Sequence, residues 1–386
     1  MLLASIGNKM HRIALVMIVR DEERSLERCL ASAMPWVDEA VVLDTGSLDA
    51  TAAIARRCGA RLASFAWTND FAAARNAALE LTDAPWRIVL DADEWLTSGG
   101  EALAALRSAG PEFLGQISVA SLFNEAGGGV GSAPSWISRV LPRGVVYAGR
   151  IHEQPQSALP RKRLPLVVAH DGYLDAQRSA KAGRNEALLE LALAEAPDDG
   201  YLRYQLGKDL EVHARFDAAA RQYELALAAT SASDSWRHDL VLRTIFTSKK
   251  LGHFEAAIAF AEAEMASWRD SPDFYFTLGD LLLETALARP ERAAELLPMI
   301  EASWLQALEI GEQPQLQDTV HGRGSFLAAH NLAALHASFG NEARAAEWRE
   351  RAVALRTAAA ARVPNWPVQQ VHFGVSPPPP PPTLSA

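Results

Sequence analysis

The stretch Trp86-Arg-Ile-Val-Leu-Asp-Ala-Asp93 runs from a mainly apolar segment directly into two carboxylates. A short apolar run with β-branched residues predicts a buried strand. Asp91 and Asp93, two residues apart on a turn that leaves this strand, are expected to converge on one point beyond its end. Carboxylate oxygens suit Mg²⁺ or Mn²⁺. An Asp-x-Asp pair can also simply cap a following helix, so both interpretations stay open.

Three earlier apolar runs alternate with helical patterns. Strands are predicted at residues 13–19, 40–43 and 61–65, and helices at 23–32, 47–59 and 71–81. This alternation predicts an α/β unit with parallel strands and helical crossovers. In such sheets ligands bind beyond the carboxyl ends of the strands. The candidate segments are therefore 20–22, 44–47, 67–70 and 91–94.

The pattern changes further along the chain. Two more strands are predicted at 117–123 and 145–147, with a glycine-rich loop at 127–129. From residue 181 onward, long Ala- and Leu-rich segments predict helices. There Ala219-x3-Tyr223-x2-Ala226 recurs 37 residues later as Ala256-x3-Phe260-x2-Ala263. Leu206-Gly207 and Leu278-Gly279 each resemble the Leu-Gly of the first helix in a tetratricopeptide repeat. This spacing favours stacked helix pairs of the tetratricopeptide type. A generic Ala-rich bundle is the alternative.

Composition limits the classes of function. The chain has 386 residues, a net charge of −10 and two cysteines. Its length suits two domains, its acidity argues against a nucleic-acid partner, and two cysteines cannot build a disulfide framework. The start is a poor signal peptide and no apolar run is long enough for a transmembrane segment. We expect a cytoplasmic protein, free or peripheral at the inner membrane, whose proline run at 377–382 belongs to a disordered tail.

Four motifs occur in order: Arg20-Asp-Glu-Glu23, Val41-Val-Leu-Asp-Thr-Gly-Ser47, Phe71-Ala-Ala-Ala-Arg-Asn76 and Val89-Leu-Asp-Ala-Asp-Glu-Trp95. Together they resemble the nucleotide-sugar half of family 2 glycosyltransferases with the GT-A fold, in the subgroup with a C-terminal tetratricopeptide-like domain. The resemblance implies a Rossmann-like mixed sheet in an α/β catalytic domain at 10–178. An all-α helical repeat domain at 179–360 and the tail at 361–386 would follow.

The resemblance also implies site roles. Asp44 would accept from the uracil imide of a UDP-sugar, with Arg20 and Glu22 beside the nucleoside. Arg75 and Asn76 would lie beside the donor. From the residues alone, Asp44 could instead cap a helix near Leu48, Arg20 and Glu22 could form a surface ion pair, and Arg75 could tie helix to sheet.

Asp93 would be the principal ligand of Mn²⁺ or Mg²⁺, and Asp91 would contact ribose or metal. In this family a downstream histidine completes the metal site. His170, which follows the apolar run at 164–169, is preferred to His152. Trp95 and Trp136 could stack on a sugar, although core packing is the more ordinary role of such side chains.

An inverting transfer needs a base that takes the proton of the acceptor. Glu153, in Gly149-Arg-Ile-His-Glu153, resembles the His-Glu element of the family and is the candidate, ahead of Glu94. Glu153 could alternatively pair with Arg150 or Arg139.

The predicted function is metal-dependent transfer of a sugar from a nucleotide sugar to a saccharide, peptide or protein acceptor. The resemblance to the family implies that the transfer proceeds with inversion. The helical domain would present the acceptor, bind a protein partner or form a homodimer. The alternative is a non-catalytic adaptor that acts through its helical repeats. A sugar nucleotidyltransferase is disfavoured because no glycine-rich phosphate loop follows the first strand.

Overall fold

The computed structural model describes residues 10–124, 130–171, 183–316 and 319–362. The predicted glycine-rich loop at 127–129, the predicted domain boundary at 178–179 and the proline run of the tail lie outside these residues. The boundaries of the domains therefore stay predictions.

The first part of the chain is an α/β unit. Its strands are β1 Ile13–Val19, β2 Glu39–Asp44, β3 Arg61–Ser64, β4 Trp86–Val89, β5 Glu94–Ser98, β6 Leu114–Asn124, β7 Val130–Pro142, β8 Val146–Ala148, β9 Gln154–Gln156 and β10 Arg161–His170. Its helices are α1 Leu26–Ala33, α2 Thr51–Arg57, α3 Phe71–Glu80 and α4 Gly100–Leu106. Two 3₁₀ turns, Met34–Trp36 here and Pro290–Arg292 later, complete the regular structure of the described residues.

Eight strands form one mixed sheet in the order β3-β2-β1-β4-β7-β6-β10-β5. The parallel set β3, β2, β1 and β4 confirms the crossover prediction, whereas β7 and β5 run antiparallel to their neighbours. The sequence pattern did not predict β5, β7 or β9. β8 and β9 form a separate two-stranded ribbon.

Alternate side chains of β1 point to opposite faces of the sheet and belong to two different apolar clusters. Ile13, Leu15 and Met17 lie in the apolar cluster that also contains side chains of α1, α2 and α4. Ala14 and Val16 lie in a second cluster, on the α3 side. Both faces of the central strand are thus buried, which is the condition under which parallel strands are stable.

The second part of the chain is helical. Its helices are α5 Arg184–Glu195, α6 Gly200–Val212, α7 Phe216–Ala229, α8 Arg237–Lys250, α9 Phe254–Glu264, α10 Pro272–Ala288, α11 Ala293–Ile310, α12 Phe326–Ser338 and α13 Glu342–Arg362. Apart from α5 they form consecutive pairs, each joined by a short turn. The predicted fold class, an α/β unit followed by helical repeats, is confirmed.

The repeat register differs from the predicted one. Ala219, Tyr223 and Ala226 are fully buried in α7, as expected, but Ala256 and Ala263 of α9 are exposed. The buried small residues of α9 are Ala257 and Ala261. The predicted offset is one residue too short, because α7 and α9 begin at Phe216 and Phe254 and the buried face is set from these starts.

The glycines of the two Leu-Gly pairs lie where neighbouring helices pack closely. A Cβ atom added at Gly207 would lie 2.3 Å from the ring of Tyr223, and one at Gly279 would lie 2.5 Å from that of Trp304. Only glycine therefore allows these helices to approach so closely.

We predict that Gly207→Ala destabilises the helical region by about 1–3 kcal/mol, because the added methyl group overlaps a buried ring. Tyr223 cannot easily move, since its hydroxyl donates a hydrogen bond to Glu211 at 2.8 Å. Urea unfolding followed by circular dichroism measures the change. Gly110→Ala is the matched control, because its Cβ would meet only the Glu112 side chain at 3.6 Å. Equal stability of the two variants would contradict the prediction.

Candidate active site

The candidate site lies at the carboxyl ends of β1, β2 and β4. Val19 of β1 is in register with Asp44 of β2, and Asp91 follows β4 on the other side of β1. Neighbouring strands lie about 4.8 Å apart, so the ends of β2 and β4 are separated by about 10 Å. The site residues predicted on these two turns therefore face the same edge of the sheet.

The turns after β1 and β2 are bound to each other. The Asp21 amide donates to Ser47 Oγ at 3.0 Å, the Leu48 amide to Asp21 Oδ1 at 2.7 Å, and the Glu22 amide to Thr51 Oγ1 at 2.7 Å. Asp21 has a positive φ of 53°. Such a backbone conformation is retained only where the surroundings hold it.

Asp44 holds the tight turn after β2. Its Oδ1 accepts from the Gly46 and Ser47 amides at 3.0 and 2.8 Å, and from the Ser47 hydroxyl at 2.8 Å. The following helix begins at Thr51, so Asp44 does not cap a helix near Leu48. The three hydrogen bonds fall on one carboxylate oxygen.

The other two residues predicted beside the nucleoside lie on the neighbouring turn. The Arg20 side chain is half exposed and lies 3.9 Å from the Asp21 carboxylate, a loose surface pair. Glu22 accepts from the Ser25 hydroxyl at 2.7 Å. Neither contact tests a nucleoside role, which stays a prediction.

Behind the turn after β4 lies a carboxylate–arginine cluster, comprising Arg75, Asp91, Glu94, Arg139 and Glu153. Arg75 donates to Asp91 Oδ1 at 2.7 Å and, through Nε, to Glu153. Arg139 Nη2 donates to Asp91 Oδ2 and to Glu94 Oε1, each at 2.8 Å. Both oxygens of Asp91 are thus engaged by arginines. Arg75, rather than Arg150 or Arg139, is therefore the partner of Glu153. The contact of Asp91 with ribose or metal stays a prediction.

Charge and burial act in opposite directions in this cluster. Burial favours a raised pKa at Asp91, but the charges of Arg139 and Arg75 outweigh it and hold that pKa well below its usual range. At Glu94, burial dominates over the attraction of Arg139, and the pKa is raised. The Asp91 side chain keeps 35 % of its surface exposed, whereas Glu94 keeps 3 %. Asp91 is therefore a partly exposed, ionised carboxylate, whereas Glu94 is enclosed beside Arg139.

Several donors of the cluster have no hydrogen-bond acceptor within the described residues. They are Arg75 Nη1, Arg139 Nε and, beside Arg75, the hydroxyl of Tyr147, all buried. The Arg75 guanidinium carbon lies 5.6 Å from the centre of the Tyr147 ring. Unpaired buried donors are uncommon and call for a water or a ligand as their acceptor.

Asn76 fixes the β8–β9 ribbon to α3. Its side chain donates to the Tyr147 carbonyl at 2.9 Å and accepts from the Tyr147 amide at 2.8 Å. This positioning contact was not foreseen from the sequence, and the predicted donor contact of Asn76 stays a prediction.

His170 ends β10 beside Asp93. Its Nε2 lies 3.4 Å from Asp93 Oδ2, and its Nδ1 lies 3.4 Å from the Ser121 hydroxyl. Burial acts to lower the pKa of His170, but the hydrogen bond to Asp93 outweighs it and raises that pKa. His152 lies instead near Lys208 of α6, and burial lowers its pKa to about 4. Of the two candidate histidines, the structure brings His170 to the Asp-x-Asp turn.

Sequence reasoning did not foresee the pairing of Arg139 with Asp91 and Glu94, or the role of Asp171. Arg139 lies on β7, which was not predicted, and no local motif marks it. Asp171 is buried and accepts from Arg24 at 2.9 and 3.0 Å and from Arg28 at 2.7 Å, which ties the end of β10 to α1. The spacing of Arg24 and Arg28, one helical turn apart, was the sequence signal that could have indicated a shared carboxylate partner.

Trp95 and Trp136, the two tryptophans considered for stacking on a sugar, each have an arginine guanidinium over the ring. Arg28 stacks on Trp95, with its guanidinium carbon 3.6 Å from the ring centre, and Arg163 lies 4.6 Å from that of Trp136.

Comparison with known proteins identifies the family. The family model for glycosyl transferase family 2 matches residues 14–106. A TPR repeat-containing protein of Synechococcus elongatus is 34 % identical over 314 residues, which are 75 % of this chain and 77 % of that protein. The chain belongs to the family 2 glycosyltransferases that carry a tetratricopeptide-type helical region. The SPbeta prophage-derived glycosyltransferase SunS of Bacillus subtilis is 28 % identical over 205 residues. The chain spans about half the length of SunS.

Two solved structures each align with part of the chain. The alignment with a MamA fragment from Desulfovibrio magneticus includes 47 % of this chain and 92 % of the fragment. The two are 16 % identical, with a TM-score of 0.36. Glucosyl-3-phosphoglycerate synthase from Mycobacterium tuberculosis, in complex with Mn²⁺ and UDP, covers 30 % of the chain, with 44 % of its own length covered, at 24 % identity and a TM-score of 0.24. Scores this low do not establish a common fold.

Within the described residues, no helix has both the length and the apolar character needed to cross a bilayer. The same residues contain no group of three or more His, Cys, Asp and Glu side chains arranged to hold a metal ion.

We predict that Arg139→Gln destabilises the chain by about 3–5 kcal/mol, because it leaves Glu94 and Asp91 without a cation that both of them contact. Chemical denaturation of the full chain measures the difference. Arg143→Gln is the control, since Arg143 lies on the same hairpin but is exposed. A loss no greater than that of the control would show that the pairing contributes little.

The stability lost in Arg139→Gln should also depend on pH. The lowered pKa of Asp91 means that its ionised form stabilises the fold above the pKa of the unfolded chain, about 4, and that this contribution is lost as the pH falls further. The difference between wild type and Arg139→Gln should therefore be largest near neutral pH and shrink below about pH 4. A constant difference would count against the electrostatic cause.

Proposed function

We propose that this glycosyltransferase moves a sugar from a nucleotide sugar, UDP-linked by preference, to an acceptor, with inversion at the anomeric carbon. The observation that carries the proposal is the placement of Asp91 and Asp93 at the carboxyl end of the parallel strands, beside Arg75 and Glu153. This edge of the sheet offers a candidate group for each of three tasks: binding the donor, stabilising the leaving diphosphate and removing the proton of the acceptor.

The donor nucleoside would lie between the turns after β1 and β2. Asp44 presents a carboxylate that can accept from an imide N–H, and its turn is held rigid by its own hydrogen bonds and by the contacts to the Arg20–Glu22 segment. A rigid site loses little entropy on binding. The separation of about 10 Å between the ends of β2 and β4 leaves room for ribose and diphosphate between Asp44 and Asp93.

Asp93 and His170 fit a divalent cation. They offer one carboxylate oxygen and one imidazole nitrogen at the same point, and Ser121 contacts the far nitrogen of the ring, as groups behind a metal-ligating histidine commonly do. Mg²⁺ and Mn²⁺ usually complete their coordination with water and substrate phosphates, so two protein ligands can suffice. Such an ion supplies positive charge where the leaving diphosphate gains negative charge.

The arginines of the cluster would act on the same charge. Arg75 Nη1 and Arg139 Nε are buried donors with no acceptor among the described residues, and both guanidinium groups contact Asp91. Fixed donors in a site of low dielectric stabilise developing negative charge without reorganising. Asp91 keeps the two guanidinium groups in place and is exposed enough to touch the donor itself.

Glu153 would serve as the base. In the proposed step, an acceptor oxygen or sulfur attacks the anomeric carbon, the bond from that carbon to the diphosphate breaks, and the proton of the acceptor passes to the Glu153 carboxylate. Arg75 holds this carboxylate through one oxygen, which fixes its orientation.

One observation favours the adaptor alternative. The carboxylates of the cluster are already paired with arginines, and a site of this kind is stable without any ligand. A measurement of nucleotide binding distinguishes a transferase from an adaptor, because an adaptor does not need to bind a nucleotide.

We expect calorimetry with UDP, GDP, CDP and TDP, with and without Mn²⁺, to give metal-dependent binding that is tightest for UDP. Asp93→Asn should abolish the metal-dependent part, since it removes a charged ligand, and circular dichroism checks that the variant is folded. Asp83→Asn, at the opposite end of β4, is the control. Preference for another base would overturn the role of Asp44, and absence of binding by folded protein would support the adaptor.

We predict that Glu153→Gln lowers kcat by about 10²–10⁴-fold, the usual contribution of a general base, while the Kd of the donor stays within about twofold. Steady-state kinetics measure the first quantity and calorimetry the second. Glu112→Gln, an exposed change, is the control. An effect confined to KM would reassign Glu153 to binding.

A further inference from the structure

The loop between β8 and β9, residues 149–153, is held from two sides. On the α/β side, the Phe71 amide donates to the Arg150 carbonyl at 2.8 Å, and Arg150 Nη1 donates to the Asn69 carbonyl at 3.1 Å. Arg75 of α3 holds Glu153 at the end of the loop.

The helical region holds the other side of the same loop. Ile151 is 4 % exposed and belongs to the apolar cluster that contains Leu188 and Leu189 of α5 and Leu202 of α6. Arg150 Nη2 also donates to Glu195 at the end of α5. One loop residue is therefore buried in the core of the helical region, and another pairs with that region at the surface.

The residues that flank Glu153 continue this contact. Gln154 Nε2 lies 3.4 Å from the Tyr201 hydroxyl of α6, at the far limit of a hydrogen bond. His152 has a positive φ of 52°, a conformation that costs energy in a residue other than glycine. This conformation persists because both neighbours of the loop restrain it.

We propose that α5 and α6 are a working part of the transfer site: they hold the 149–153 loop in the conformation that aims Glu153 at the acceptor. The inference rests on the proposed function and extends it, because it makes Ile151 and Glu195 positioning residues for the base. The helical region then affects the rate of transfer and leaves donor binding unchanged, since the donor turns lie on β1, β2 and β4.

The apolar contact contributes more than the ion pair. Glu195 keeps 65 % of its side chain exposed, and exposed pairs are weak. Ile151→Ala removes a buried side chain at the centre of the contact, whereas Ile151→Val keeps its branched shape. The two variants, compared in the full chain, separate positioning from general damage.

The experiment measures three quantities for wild type, Ile151→Ala, Ile151→Val, Glu195→Gln and the control Glu190→Gln, an exposed residue of α5. They are kcat for transfer, the Kd of UDP with Mn²⁺, and hydrogen exchange of the amides at 149–156. We expect Ile151→Ala to lower kcat about tenfold or more, with Kd within twofold and faster exchange in the loop alone. Ile151→Val should recover most of kcat, Glu195→Gln should lose about twofold, and Glu190→Gln should match wild type.

Two results would overturn the proposal. Faster exchange in the loop with an unchanged kcat would show that the loop conformation does not limit transfer. Equal losses of kcat and donor affinity, without recovery in Ile151→Val, would show general damage. Failure of the proposed function is distinct, because wild type would then neither bind nor turn over the donor. The positioning role would fall with it, and the exchange data would report only the structural contact.

Discussion

The site depends on the ion pairs that the buried guanidinium of Arg75 forms with two carboxylates. Arg75 is 7 % exposed and bridges Asp91, after β4, and Glu153, at the end of the β8–β9 loop. A buried charge is tolerated only where opposite charges and hydrogen bonds compensate it. α3, the turn after β4 and the 149–153 loop must therefore meet at one point. The position of Glu153 is a consequence of this pairing.

Arg139 repeats the arrangement from β7, on the side of β4 away from β1. It shares Asp91 with Arg75 and neutralises Glu94, so the Asp-x-Asp turn is supported by two separate parts of the chain. The result is a site whose charges are ordered before any ligand arrives. A preorganised arrangement of this kind stabilises charge that develops during a reaction more effectively than water does.

The helical region continues the structure of the site. Ile151 lies in the same apolar cluster as residues of α5 and α6, and Trp67 and Phe71, which precede and begin α3, pack against that cluster. A core shared between the two units couples the loop before β9 to the first helices. Variation in the helical region therefore has a physical route to Glu153 that does not pass through the turns after β1 and β2.

The sequence by itself determined the parallel strands, the turns that follow them and the Asp-x-Asp turn, because apolar runs and turn residues act locally. It also indicated close helix packing at Gly207 and Gly279, where the identity of one residue controls the approach. Only the tertiary structure decided that Arg75 pairs with Glu153 and that Arg139 joins the site, and it brought His170, the histidine preferred from the sequence, beside Asp93. These partners are separated by 78, 48 and 77 positions along the chain. No local pattern encodes such pairings, since any carboxylate attracts any arginine and the folded backbone selects which ones meet.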